Sequence, residues 1–312
     1  MSKRTLTTRR NIQEGKGEQH DIKSRIAVRQ KCKTISASNA RKYENHRKPI
    51  STRTENSRLM FVVQRSYSLT LFGITNAETI DLIFPNWFNR AFEGNENDAA
   101  YRPYDLNMPS TLLRRPIIHY QADSPITEHG KICAALTGRG ILLAGYKPKI
   151  VEINITQIFT SPELRCIETA RSIQRSFHID NCDLCVEPSL AEYARFRDNA
   201  EKHWLTTEWL QQQGILSSDR TYVPLLKPKE LSRNETPQEF VHRLQRFYEH
   251  IIVNFEDRTS HYFRCVIIVS NITGIFVLCD GTAAVPWHLQ EAHNNMNNCH
   301  LCAIEVTPDG KV

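Results

Sequence analysis

The stretch L-T-L-F-G-I-T-N-A-E-T-I-D-L-I-F-P-N-W (69–87) begins as an apolar run and breaks at Thr75-Asn76-Ala77. A strand ending in a polar loop is a common place for a catalytic group in an α/β protein, because the loop leaves the carboxyl edge of the sheet, where ligands bind. Thiols are a second source of chemistry. Cys182-Asp-Leu-Cys185 and Cys299-His-Leu-Cys302 both have the C-x-x-C spacing that can build zinc sites, with His300 beside the second pair. The pairs are more than a hundred residues apart, and both fall in segments with the look of strands. On a strand, residues i and i+3 point to opposite faces, so neither pair could clasp one ion. We read them as buried free thiols of a reduced compartment and expect no metal or other cofactor.

The elements that must position these groups follow from the apolar pattern. Beyond residue 59, short apolar runs alternate with amphipathic stretches, as in a mixed or parallel sheet covered by helices. Strands are expected at 69–74, 155–159, 185–187, 265–270 and 302–306. The run Cys265-Val-Ile-Ile-Val-Ser270 is almost wholly apolar, as a central strand buried on both faces should be. Two helix starts are marked: Ser161-Pro162-Glu163 reads as a cap before a first-turn proline, and Thr236-Pro237-Gln238-Glu239 as a capping box. Residues 87–126 and 191–229 read as insertions that form a cap over the carboxyl edge of the sheet.

Charge divides the chain. Residues 1–58 carry 16 Lys/Arg against 5 Asp/Glu, net +11, whereas the remaining 254 residues carry 24 against 29, net −5; together these give the chain's +6. The first segment also has almost no large apolar residues and no periodicity, so it cannot bury enough surface to offset ordering entropy and is expected to be a disordered basic tail. Such a tail could serve an acidic partner, nucleic acid or anionic lipid, or simply be solvated. Residues 59–312 form the expected folded domain. No run approaches the length of a membrane span and no signal-peptide core is visible, so a cytoplasmic or nuclear protein is expected. The sequons at Asn154, Asn234 and Asn271 then have no role.

Six blocks carry a resemblance. E-T-I-D-L-I-F-P-N-W (78–87), Y-R-P-Y-D-L-N-M-P (101–109), I-T-E-H-G (126–130), T-S-P-E-L-R-C-I-E-T-A (160–170), V-E-P-S-L-A-E-Y (186–193) and V-I-I-V-S-N (266–271) occur in the order they have in the histidine phosphatase superfamily. The chain most resembles the phosphatase domains of the suppressor of T-cell-receptor signalling proteins, which also contain ubiquitin-associated and Src-homology-3 modules. The resemblance implies a phosphoglycerate-mutase-like three-layer α/β/α domain with a mostly parallel central sheet. It also implies a site built around one phosphoryl group. A histidine in an Arg-His-Gly/Ala-Glu-Arg motif is the nucleophile, and that motif's two arginines and a third in the S-P-x-L-R block neutralise the phosphate. A carboxylic acid protonates the leaving oxygen, and a second histidine after a central strand binds phosphoryl oxygens.

Two registers are open for the first motif. Placing it at Gln64-Arg65-Ser66 matches only the apolar pair before it, whereas placing it at Thr75–Thr79 matches Glu78, Asp81, Ile83, Phe84, Pro85 and Trp87. In the second register Asn76 stands at the nucleophile position, Thr75 and Thr79 at the two arginine positions, and Asn271 at the second histidine position. Only Arg165, as the third arginine, and Glu192, as the acid, match the family pattern.

An amide nitrogen is delocalised into its carbonyl and offers no basic lone pair, so Asn76 cannot become phosphorylated. A phosphate monoester carries about −1.5 to −2 charge at pH 7, and these positions set one cation, Arg165, beside two carboxylates, Glu78 and Glu192. Loss of family catalysis is therefore expected, since groups that act as a unit fail together. Arg165 has two readings, an anion contact or an ion pair with Glu192 or Glu163. Cys166 is read as packing, and His119 and His129, near the cap opening, as candidates for a substitute base with nothing to position them. The expected function is that of a pseudophosphatase with a binding or regulatory role, against the alternative of a phosphatase working through a remodelled pocket. The partners the resemblance suggests are a phosphorylated ligand, a second copy, or an active paralogue.

Overall fold

The computed structural model describes residues 69–93, 100–146, 153–178, 182–197, 200–217, 222–255, 263–280 and 298–306. The basic segment 1–58 and the expected start of the domain at 59 lie outside these residues. Chain order is β1 (Leu69–Thr75), α1 (Ile80–Ile83), α2 (Trp87–Ala91), β2 (Phe92–Glu93), β3 (Ala100–Tyr101), α3 (His119–Ala122), α4 (Glu128–Leu143), β4 (Ile153–Thr160), α5 (Leu164–Ser176), β5 (Asp183–Val186), α6 (Ala194–Arg197), α7 (Thr207–Gln212), α8 (Pro237–Phe255), β6 (Phe263–Ser270), α9 (Ile272–Asp280) and β7 (Leu301–Val306).

Five strands make one sheet in the order β5-β4-β6-β1-β7, and β2 and β3 form a separate small ribbon. The pairs β4–β5, β4–β6 and β1–β6 are parallel, and β7 closes the edge antiparallel to β1. Alternation along each strand feeds two cores. Leu71, Phe159, Val266 and Ile268 pack with Phe240, Leu244 and Phe247 of α8 and Ile275 of α9 on one face. Phe72, Ile158, Ile267 and Val269 pack with Ala134 of α4 and Ile167, Ala170 and Ile173 of α5 on the other. This is the expected three-layer α/β/α arrangement. Because β6 feeds both cores, its run from Cys265 to Val269 has no exposed side. Gly73 keeps β1 close to α9, since a Cβ there would stand 2.7 Å from Cys302 Sγ and 2.7 Å from a Leu278 methyl.

Each C-x-x-C pair is divided between the two cores. Cys185 and Cys302 lie in the α8/α9 core, while Cys182 lies in the α4/α5 core with Cys299 packed against it. Cys182 and Cys299 sit just outside β5 and β7 rather than within them, and Cys299 adopts φ 53° in the turn before β7. Among the described residues no group of three or more His, Cys, Asp or Glu could hold a metal ion, and no helix is long and apolar enough to cross a membrane.

One helix start differs from its reading. At α8, Thr236 and Glu239 form the expected reciprocal box, with Thr236 N donating to Glu239 Oε2 at 2.7 Å and Glu239 N to Thr236 Oγ1 at 3.2 Å. At α5, however, Ser161 is not the cap: the helix begins at Leu164, and Leu164 N donates to Asp123 Oδ1 at 2.8 Å. The local serine is drawn away because its hydroxyl contacts Glu163 and stands 2.9 Å from Leu190 O. The cap therefore comes from a residue of the first insertion. The two insertions also meet, since Ile80, Trp87, Met108, Tyr120 and Leu164 form a third cluster on which Leu205 packs.

Candidate functional site

Parallel registration brings the sequence-selected residues together. Thr75 pairs with Ser270, and Thr160 pairs with Val186 and Val269, so β1, β6, β4 and β5 end near one level. The next residues along each strand are Asn76, Asn271, Ser161 and Glu187, at the carboxyl edge where an open α/β sheet binds ligands. Asn76 N donates to Ser270 O at 2.9 Å, and Ser161 N to Val269 O at 2.9 Å, which locks the strand exits to one another.

The loop 75–79 is fixed throughout. Thr75 is fully buried, and its Oγ1 accepts from His300 N at 2.8 Å, tying it to the turn before β7. Asn76 is also buried, with Nδ2 donating to Ala77 O at 3.0 Å and its carbonyl accepting from Cys299 N at 3.2 Å. Ala77 N donates to Thr169 Oγ1 at 2.9 Å, so the loop hangs on α5. Glu78 accepts from Thr127 Oγ1 at 2.6 Å and from Asn107 Nδ2 at 3.1 Å, with His129 Nδ1 3.5 Å away. Burial works against the charge of Glu78, but Thr127, Asn107 and His129 outweigh it and hold its pKa below the ordinary value. Thr79 precedes α1 in extended backbone and bridges to Ile126.

Asn271 has a clear structural task. Its Oδ1 accepts from Gly274 N at 2.9 Å and from Thr273 Oγ1 at 2.6 Å, the pattern of an N-cap on α9, and its Nδ2 reaches Leu190 O at 3.3 Å. A strand that turns directly into a helix at this residue needs a short oxygen acceptor there, and asparagine supplies one.

Arg165 and Glu192 face each other. Arg165 Nη2 lies 2.5 Å from Glu192 Oε2, with the two side chains 17% and 8% exposed. Burial disfavours the guanidinium charge, but Glu192 first, then Glu163, Cys166 and Asp123, more than compensate and raise its pKa. Glu192 is aimed by its backbone, because Glu192 N donates to Glu163 Oε1 at 2.9 Å. The turn in front of it is pinned from α8: Arg243 Nη1 donates to Ser189 O at 2.7 Å and to Ala191 O at 3.1 Å, and its other donors hold Glu235 at 2.7 and 2.9 Å. Ser270 Oγ adds a bond to Leu190 O at 2.9 Å.

The remaining candidates fall outside this group. Cys166 is fully buried, and burial, reinforced by Glu163, pushes its thiol well above its usual pKa, so it is a packed thiol. His129 is exposed beside Glu78. His119 lies against His203, with ring centroids 4.7 Å apart and planes tilted by 52°, and burial, with His203 and Arg115, lowers its pKa. His129 is turned to Glu78 and His119 to His203, so the geometry gives neither a base's position at Asn76 or Asn271.

Sequence reading missed the support of the site. Asp123, which caps the helix carrying Arg165, is held by Arg115 Nη1 at 2.8 Å. Thr169, Glu163 and Arg243 have similar supporting tasks. Their partners are 92, 29 and 52 to 54 residues away, so no local spacing could have announced them.

Comparisons with known proteins agree with this architecture. The chain is 31% identical over 176 residues to the ecdysteroid-phosphate phosphatase of Bombyx mori, covering 55% of this chain and 24% of that protein. It is 26% identical over 210 residues to the mouse ubiquitin-associated and SH3 domain-containing protein B, covering 66% of this chain and 31% of that one. The chain thus spans about a quarter to a third of the curated relatives it matches. Among solved structures, the Bombyx ecdysone phosphate phosphatase in complex with tungstate superposes with a TM-score of 0.58 at 25% identity, covering 78% of this chain and 93% of that one. Residues 111–312 match the model of the histidine phosphatase superfamily (branch 1), and the chain belongs to that family.

Proposed function

We propose that this chain is a non-catalytic member of its family, a pseudophosphatase domain kept for binding or regulation. The observation that carries the reading is Asn271. The resemblance gives this position to a histidine that binds phosphoryl oxygens, whereas here the side-chain oxygen is spent on Gly274 N and Thr273 Oγ1. Asn76, at the nucleophile position, offers an amide that cannot attack phosphorus. Thr75, at an arginine position, is buried and bonded to His300 N. The Arg165 guanidinium is matched by the Glu192 carboxylate, so an incoming phosphate would compete with a charge already in place.

A residual anion pocket is the second reading, and Arg165 and Glu192 favour it because they match the family pattern. A phosphorylated ligand would then be held by Arg165 with Thr75, Asn76, Thr79, Glu192 and Asn271 around it, and the regulatory partner would be a phosphorylated molecule or an active paralogue.

The test is turnover by the pure protein. The reading expects no release of phosphate from p-nitrophenyl phosphate or a phosphotyrosine peptide. Turnover that disappears on Arg165→Ala or Glu192→Ala would overturn it in favour of a remodelled enzyme.

A further inference from the structure

A thiol, an imidazole and a carboxylate meet on the outer side of α4. His129 and Cys133 are one helical turn apart and share a face of the helix. Cys133 Sγ lies 3.5 Å from His129 Nε2 and 4.0 Å from Nδ1, so Nε2 is the nitrogen nearer to the sulfur. His129 Nδ1 in turn lies 3.5 Å from Glu78 Oε2. Each ring nitrogen thus has its own neighbour, the order in which a base oriented by a third group activates a nucleophile.

The three groups come from two segments that are bonded together. Glu78 accepts from Thr127 Oγ1 at 2.6 Å and from Asn107 Nδ2 at 3.1 Å, and Asn107 Oδ1 accepts from His129 N at 2.8 Å. One asparagine therefore ties the carboxylate to the helix end that carries the imidazole. The group is also accessible. The His129 side chain is 62% exposed and Cys133 is half-buried, whereas Cys166, Cys182, Cys185, Cys265 and Cys302 are buried. The other titratable groups nearby are the Glu128–Lys131 ion pair on α4 and Cys299 in the turn before β7. Burial, then Glu78, raises the pKa of the Cys133 thiol. It keeps its proton at neutral pH, and the reactive thiolate forms only as that proton passes to a base.

We propose that Cys133 is a modification site for small disulfides, with His129 as its base and Glu78 positioning the ring. The proton of Cys133 Sγ passes to His129 Nε2 while the sulfur attacks one sulfur of the reagent. The reagent's S–S bond breaks, a mixed disulfide forms on Cys133, and the leaving sulfur takes the proton back from His129. Cys133 is oxidised and the released half of the reagent is reduced, so no further reactant is needed. This inference does not rest on the catalytic state of the site.

Reaction of the full chain with dipyridyl disulfide, an uncharged small disulfide, tests it. Absorbance of the released thione gives the rates, and peptide mass spectrometry locates the first thiol to react. Cys133 should react first, and Cys133→Ser should abolish the fast phase. His129→Gln should slow that phase about tenfold or more at pH 7, a modest effect for a positioned base because the ring is exposed. The gap should narrow at high pH, where hydroxide ionises the thiol unaided, a convergence that a merely structural role for His129 would not give. Circular dichroism establishes that both variants are folded. A different cysteine reacting first, or a Cys133 rate that His129→Gln leaves unchanged at neutral pH, overturns the proposal.

Discussion

The Arg165 guanidinium lies 2.5 Å from the Glu192 carboxylate, and both partners are held from behind. Arg165 rides on a helix whose first amide is capped by Asp123, and the Glu192 amide is fixed by Glu163. Removing one partner of such a pair leaves the other charge poorly solvated. Arg165→Met is expected to cost about 3 kcal/mol of stability, the low end of the range for buried pairs because the arginine is partly exposed. Pairing it with Glu192→Leu should recover much of that loss, and a double-mutant cycle in urea measures the coupling.

The cap role of Asn271 makes a separate prediction. Asn271→Ala removes the acceptor for Gly274 N and should destabilise the fold by about 1 kcal/mol, whereas Asn271→Asp should retain most of the cap. Urea midpoints of the two variants check this. Equal losses in both would show that the amide donor to Leu190 O, not the cap, matters at this position.

Arg243 is the strongest single anchor of the turn carrying Glu192. Arg243→Met strands the buried Glu235 carboxylate and frees the Ser189 and Ala191 carbonyls, so a loss of about 3 to 5 kcal/mol is expected. Thermal denaturation measures it directly. A loss below about 1 kcal/mol would mean that the turn is held without it, by Ser270 Oγ on Leu190 O and by Glu187 Oε1, which accepts from Ser189 N at 2.7 Å.

Glu168 gives a pH signature. Burial, with a smaller contribution from Asp123, raises its pKa to about 7, against the opposing effects of Ile126 N, Lys131 and Arg115. With the folded pKa above the unfolded one, the folded state holds more protons between about pH 4.5 and 7. Stability from this group is therefore present at the acid end and falls as pH rises through that window. Glu168→Gln keeps an acceptor for Ile126 N, bonded at 2.8 Å in the native chain. Its melting temperature should fall less than the native protein's between pH 5 and 8, and identical slopes would contradict the assignment.

The parts of this structure legible in the sequence are those with local periodic signals. The apolar run from Cys265 to Val269 marked the central strand, and Thr236 with Glu239 marked the start of α8, because a capping box is a four-residue event. The residues at the strand exits were legible too, since Asn76 and Asn271 directly follow apolar strands. What Arg165 and Glu192 do to each other was open until the fold placed α5 beside the turn at Glu192. Ser161 misled because its cap pattern is local, whereas the group that caps α5 is Asp123, supplied through tertiary contact and held by Arg115. The same holds for Arg243 and Thr169, whose partners are brought in by packing alone.

The most direct test compares the native chain with a variant carrying Thr75→Arg, Asn76→His, Thr79→Arg and Asn271→His. Because Thr75 is buried and Asn271 caps α9, circular dichroism first establishes that the variant is folded. Hydrolysis of p-nitrophenyl phosphate is then measured for both. The account predicts no turnover above blank by the native chain and turnover by the folded variant. Hydrolysis by the native chain that is lost on Arg165→Ala would contradict it.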